Sequence, residues 1–168
     1  NNNLGTESQP FKNIGHALSL VKNDSTTITT IYVADGVFSP STTGEQFPII
    51  LPDYVHLIGT SRETSILDAE ADLEKESRVI KIVEECENIK VANFTITGGN
   101  AVSAGCIGGG GILVTHPDLE YVYDGPVSPV NAVFENLILT DNTAAAGAGI
   151  SIWRVSGPTL SNLIIQEN

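Results

Sequence analysis

Methionine is absent from the 168 residues, only two are cysteine, and lysine plus arginine number 8 against 20 acidic residues. Each shortage excludes something. Long helices favour Leu, Met, Lys and Arg, so a chain poor in these is not a helical bundle. A formal net charge of −12 argues against nucleic acid as a partner, because phosphate binding needs clustered Lys and Arg. It also disfavours an anionic membrane surface, and no apolar run approaches the roughly 20 residues of a spanning helix. Cys86 and Cys106 are too few for a disulfide framework. They form either one bridge or two small apolar residues, and they do not fix the redox compartment. The chain starts at Asn1 with no Met and no visible signal peptide, so the expectation is that processing or trimming removed what came before. What remains is rich in Ile, Val, Gly and Asn: β-branched residues for a pleated surface, Gly and Asn for tight turns. The acidic surface permits cation binding and keeps a secreted protein soluble.

One segment reads as a helix. Phe11, Ile14, Leu18 and Val21 recur at spacings of three and four, which puts them on one helical face, and Pro10 suits the first turn. The expected organisation is a cap segment over residues 1–25, with a helix at about 11–21, followed by strands over 26–168. From Thr29 onward short apolar runs alternate with turn signals: Ile31-Tyr32-Val33 before Asp35-Gly36, Val55-His56-Leu57-Ile58 before Gly59, Ser65-Ile66-Leu67 before Asp68. These runs are too short and too evenly spaced for a βαβ fold.

An internal repeat decides the class. Asn136-Leu137-Ile138-Leu139-Thr140-Asp141-Asn142 matches Asn162-Leu163-Ile164-Ile165-Gln166-Glu167-Asn168, 26 residues on. Asn93-Phe94-Thr95-Ile96 opens the same unit. A second unit, glycine-rich and ending Ile-x-apolar, occurs at Gly109–Val114 and at Gly147–Ile152. A repeat of this length indicates stacked solenoid rungs. Ile112 is therefore expected to stack on Ile150, Val114 on Ile152, and the closing Asn142 on Asn168, with rungs about 4.8 Å apart. From Ile112 to Asn136 there are 24 residues but from Ile150 to Asn162 only 12, which places an insertion at about 116–129. The predicted fold is all-β, a parallel β-helix with a short N-terminal capping helix.

The chain resembles the pectate-lyase-like right-handed parallel β-helix superfamily, and its first half resembles a domain of unknown function found at the start of such helices. The residues carrying this are Gly5-Thr6-Glu7-Ser8-Gln9-Pro10-Phe11-Lys12-Asn13-Ile14, Ile31-Tyr32-Val33-Ala34-Asp35-Gly36, Phe47-Pro48-Ile49 and Val55-His56-Leu57-Ile58-Gly59. The resemblance implies a right-handed helix and a secreted or cell-surface location. The strand that usually precedes the Gly-Thr-x-x-x-Pro-Phe segment is missing, so the chain reads as a fragment or as a subunit with an open end.

Catalysis is not indicated. Hydrolases of the superfamily resemble one another in clustered Asp, a Gly-His-Gly and an Arg-x-Lys, none of which occurs here. Lyases need a basic residue beside carboxylates that hold Ca²⁺, and Arg62, Arg78 and Arg154 fall in no such cluster. His16 and His56 read as structural and Asp68 as a turn residue. The candidate ligand site is the insertion with its neighbouring rung. Trp153 is expected to face outward beside Arg154, while His116, Asp118, Glu120, Tyr121, Tyr123 and Asp124 supply ring faces, hydroxyl partners or a Ca²⁺ site. The competing reading is that the insertion only shields Trp153. The expected function is a non-catalytic extracellular module for surface structure, adhesion or polysaccharide contact. The alternatives are the first part of a polysaccharide lyase or glycoside hydrolase, and a subunit that self-associates through the C-terminal rung at 162–168.

Overall fold

The structure, a computed structural model, describes residues 3–22, 27–83, 86–115 and 128–168. The chain coils into a parallel β-helix. Its larger sheet runs through Thr29–Val33, Val55–Gly59, Ile89–Thr97, Ala132–Leu139 and Thr159–Ile165 in that spatial order. Gly36–Phe38 and Ser65–Asp68 extend the same sheet beside the second half of Ile89–Thr97. A smaller sheet stacks Ile49–Ile50, Ile80–Val83, Ile112–Thr115 and Ile150–Trp153. Every strand pair in both sheets is parallel. The expected register holds: Ile112 lies on Ile150 and Val114 on Ile152.

Side-chain alternation builds the core. Inward residues one rung apart stack directly, so rows of like residues run along the axis. One row is Phe38, Leu67, Ile96, Leu139 and Ile165; another is Ile49, Ile80, Ile112 and Ile150. Phe94 and Phe134 are fully buried among them. The expected core residues Ile112, Val114, Leu137 and Leu139 are buried, and Ile150 and Leu163 are partly buried against them. Ile152 and Ile165, in the last rung, are exposed, Ile165 by 52%. No described rung lies over them.

Two kinds of corner turn the chain. Asn93, Asn136 and Asn162 each take a left-handed backbone and form a ladder: Asn162 Nδ2 donates to Asn136 Oδ1 at 2.8 Å, Asn136 Nδ2 to Asn93 Oδ1 at 2.8 Å, and Asn93 Nδ2 to the Gly59 carbonyl at 3.1 Å. At the second corner the Asn142 amide donates to Asn168 Oδ1 at 2.9 Å, as the repeat predicts, and Asn142 Oδ1 accepts from Gly99 N. Asn100, three residues after the Thr97 end of the same strand, accepts from Val102 N at 3.3 Å. Gly99 is required because a Cβ there would sit 1.9 Å from the Gly110 carbonyl oxygen.

The cap is shorter than its periodicity suggests. The helix spans Ile14–Ser19, because Asn13 is its N-cap and accepts from His16 N at 2.9 Å. Ile14 is buried, with Leu18 and Val21 packed against the core. Phe11 lies before the helix and meets the His16 ring edge-on, centroids 4.7 Å apart. Glu45 fastens the helix to the first rung. It is only 3% exposed, and its two oxygens accept the backbone N–H groups of Ile14 and Gly15. A 3₁₀ segment, Val102–Ile107, has no signal in the apolar pattern.

Candidate functional site

The outer face of the larger sheet is built by the same alternation that fills the core. Its register sets Thr30, His56, Lys90, Val133 and Thr159 in one outward row and Tyr32, Ile58, Ala92, Glu135 and Ser161 in the next. Tyr32 is 81% exposed, and it is in register with the half-buried Ile58. Lys90 Nζ reaches Glu135 Oε2 at 2.6 Å across one rung, which ties the middle of the face together. His56 lies between Thr30 and Lys90, and its ring makes no hydrogen bond to a described residue. Burial, and then the Lys90 charge, lower its pKa below the ordinary imidazole value, so the ring is neutral at pH 7 and offers one donor and one acceptor. The face thus combines an exposed aromatic ring, an aliphatic neighbour, a neutral imidazole and a paired charge.

Sequence reasoning missed this face. It assigned His56 a structural role and gave Tyr32 none. The available signal was the outward parity of Tyr32 in Ile31-Tyr32-Val33, where a large ring alternates with core residues.

The expected ligand site is only partly within the described residues. Trp153 is half-buried and pairs in the smaller sheet with Thr115, which in turn pairs with Val83. Its parity is outward, as expected. Arg154 follows it with φ of 56° and is half-buried, turning the chain towards Val155, which pairs with Ser128. His116, Asp118, Glu120, Tyr121, Tyr123 and Asp124 lie outside the described residues, as does most of the insertion expected at 116–129. Trp153 belongs to a different sheet from Tyr32 and His56.

Cys86 is half-buried, and burial foremost raises its thiol pKa. It has no disulfide partner among the described residues; the side chain of Cys106 is outside them. No three His, Cys, Asp or Glu side chains converge as a metal cage among the described residues, and no described helix is long and apolar enough to cross a membrane.

Many carboxylates are instead engaged in holding loops. Glu70 accepts from Ser39 Oγ at 2.7 Å and Ser41 N at 3.0 Å, Asp53 from Glu87 N at 3.0 Å, and Glu76 from Ser103 N at 3.0 Å. Asp68 accepts from Glu70 N at 2.9 Å, the turn role read from its position. Arg62 pairs with Glu63 at 2.9 Å, while its Nη1 is buried without a partner among the described residues. Arg78 is half-buried and donates from Nε to the Gly108 carbonyl at 3.1 Å.

Among families of proteins, the one described as "Protein of unknown function (DUF1565)" matches residues 1–167. No curated protein and no solved structure matches the chain.

Proposed function

We propose, from the premise that the chain belongs to the DUF1565 family, a domain known in β-helix proteins, that it is a non-catalytic extracellular module contacting polysaccharide through the outer face of its larger sheet. Kinship with the pectate-lyase-like superfamily and a secreted or cell-surface location are part of the same reading. The observation that carries it is Tyr32, 81% exposed on the outer face of the larger sheet. Tyrosine, amphipathic and stiff, gives up little conformational entropy when it binds through an exposed ring. A tyrosine ring offers an apolar face with a polar tip, which matches the alternation of C–H and O–H groups on a sugar. Ile58 extends the apolar surface, and neutral His56 adds a donor and an acceptor at hydrogen-bonding reach of a ligand on the face.

A face that repeats from rung to rung suits an extended polymer better than a single small molecule held in a cavity. Successive rungs repeat at about 4.8 Å, so a chain laid along the axis meets one rung after another. The test is an array of neutral and acidic polysaccharides probed with the intact chain. Binding to at least one extended glycan, without appearance of shortened or unsaturated products, is the expected result. Cleavage of a glycan, or no retention of any, contradicts the proposal.

A further inference from the structure

An open cleft lies on another part of the molecule, between the loop that follows Gly36–Phe38 and the loop that follows Ser65–Asp68. Its volume is about 400 Å³, within the range of roughly 300–1,000 Å³ found for small-molecule sites. Pro40, Phe47 and Ala69 line it with apolar surface, and Gln46, Lys75 and Ser77 bring polar groups to it.

Both walls are held in place before any ligand arrives. The Ser39 carbonyl accepts the N–H groups of Thr43, Gly44 and Glu45, each at 3.1 Å. Glu70 clasps the same loop through Ser39 and Ser41. Glu45, which also lines the cleft, has its carboxylate engaged by the two amides of the cap helix. On the other wall Asp72 Oδ1 accepts from Glu74 N and Lys75 N, both at 2.8 Å, and the Ser77 carbonyl accepts from Asn100 N at 2.8 Å. The backbone of the walls, fixed in this way, has little entropy left to lose on binding.

The chemistry of the cleft is asymmetric. The Lys75 ammonium and the Gln46 amide make no hydrogen bond or ion pair with a described residue, although Lys75 sits in the field of Glu70. The Ser77 hydroxyl is used locally, donating to the Arg78 carbonyl. Among the described residues, a cation and an amide without a hydrogen bond or ion pair thus share one lining with Phe47. We propose that this cleft is a second binding site, one that takes a small organic carboxylate carrying a compact ring. The carboxylate meets Lys75 and Gln46, a charge-assisted contact, and the ring lies against Phe47 and Pro40.

The experiment is an amide NMR titration of the intact chain with benzoate and, in parallel, with benzyl alcohol, which has the ring without the charge. Benzoate is expected to give saturable shifts confined to Gln46, Phe47, Lys75 and Ser77, with a dissociation constant on the order of 1 mM. Benzyl alcohol is expected to give none of comparable size. Lys75→Gln, at an exposed position that leaves the fold intact, weakens benzoate by about tenfold, and Gln46→Ala weakens it less. Shifts that do not saturate, equal responses to the two probes, or unchanged affinity in Lys75→Gln overturn the proposal. The glycan face is untouched by these variants, so its test stands apart.

Discussion

The first two rungs and the last three turn the same corner in different ways. In Ile89–Thr97, Ala132–Leu139 and Thr159–Ile165 one strand bends at a single asparagine and continues. In the first two rungs the strand breaks, and a short loop joins Thr29–Val33 to Gly36–Phe38 and Val55–Gly59 to Ser65–Asp68. The asparagine corner is held by an inner ladder in which each amide serves the next rung. The loop corner is held from outside: Thr64 Oγ1 donates to Asp35 Oδ1 at 2.5 Å, and Thr95 Oγ1 donates to the Arg62 carbonyl at 2.6 Å. The two meet where Asn93 donates to the Gly59 carbonyl. One residue with the right backbone preference and an amide that both donates and accepts does the work of a loop.

The largest effect is expected behind the asparagine corner. Leu137 is fully buried, stacked between Phe94 and Leu163. Leu137→Ala should cost about 2–5 kcal/mol by chemical denaturation, since rungs on both sides limit collapse of the cavity. The asparagine itself comes next. Asn136→Ala removes one donated and one accepted ladder bond and puts a Cβ-bearing residue without a local partner in the left-handed region; a loss of about 1–3 kcal/mol is expected. Asn136→Gly should recover the backbone share of that loss. Thr64→Ala, the matching change at the exposed loop corner, should stay within about 0.5 kcal/mol. Equal costs for the two corners would erase the distinction between them.

A smaller, pH-dependent effect sharpens the same contrast. Glu70 has its pKa lowered, first by the Ser41 hydroxyl and then by Ser39. A carboxyl with a depressed folded value stabilises the protein above its unfolded pKa, and that contribution is lost as pH falls through the folded value. Wild type should therefore lose stability on acidification below the ordinary carboxylate range. Glu70→Gln should show a shallower loss over that window in thermal unfolding followed against pH. The asparagine ladder, made of neutral amides, contributes no such slope.

The contrast also explains what was legible. The repeat of Asn136–Asn142 at Asn162–Asn168 exposed the later rungs, because one-residue corners keep identical offsets from rung to rung. Ile112 on Ile150 and Asn142 on Asn168 followed from spacing alone. The earlier rungs could be read as strands but not placed in register, since loops of different length separate their halves. The helix was overextended at both ends, because the 3–4 spacing of Phe11 and Val21 carries no signal of the Asn13 cap. The clasp of Glu45 on Ile14 and Gly15 joins residues about 30 apart and has no local pattern. The face around Tyr32 is a product of register: His56 meets Thr30, Ile58 meets Tyr32 and Lys90 meets His56 only when the strands align.

On the proposed function, Tyr32 and its neighbours on the larger sheet meet the polysaccharide, and the rung carrying Trp153 offers the competing surface. Affinity electrophoresis of wild type, Tyr32→Ala and Trp153→Ala in gels containing the bound glycan tests it most directly. Tyr32→Ala is expected to lose at least about tenfold in affinity, the loss of one stacked ring, with unchanged circular dichroism, while Trp153→Ala remains within about twofold of wild type. Retardation lost in Trp153→Ala and kept in Tyr32→Ala would contradict the claim.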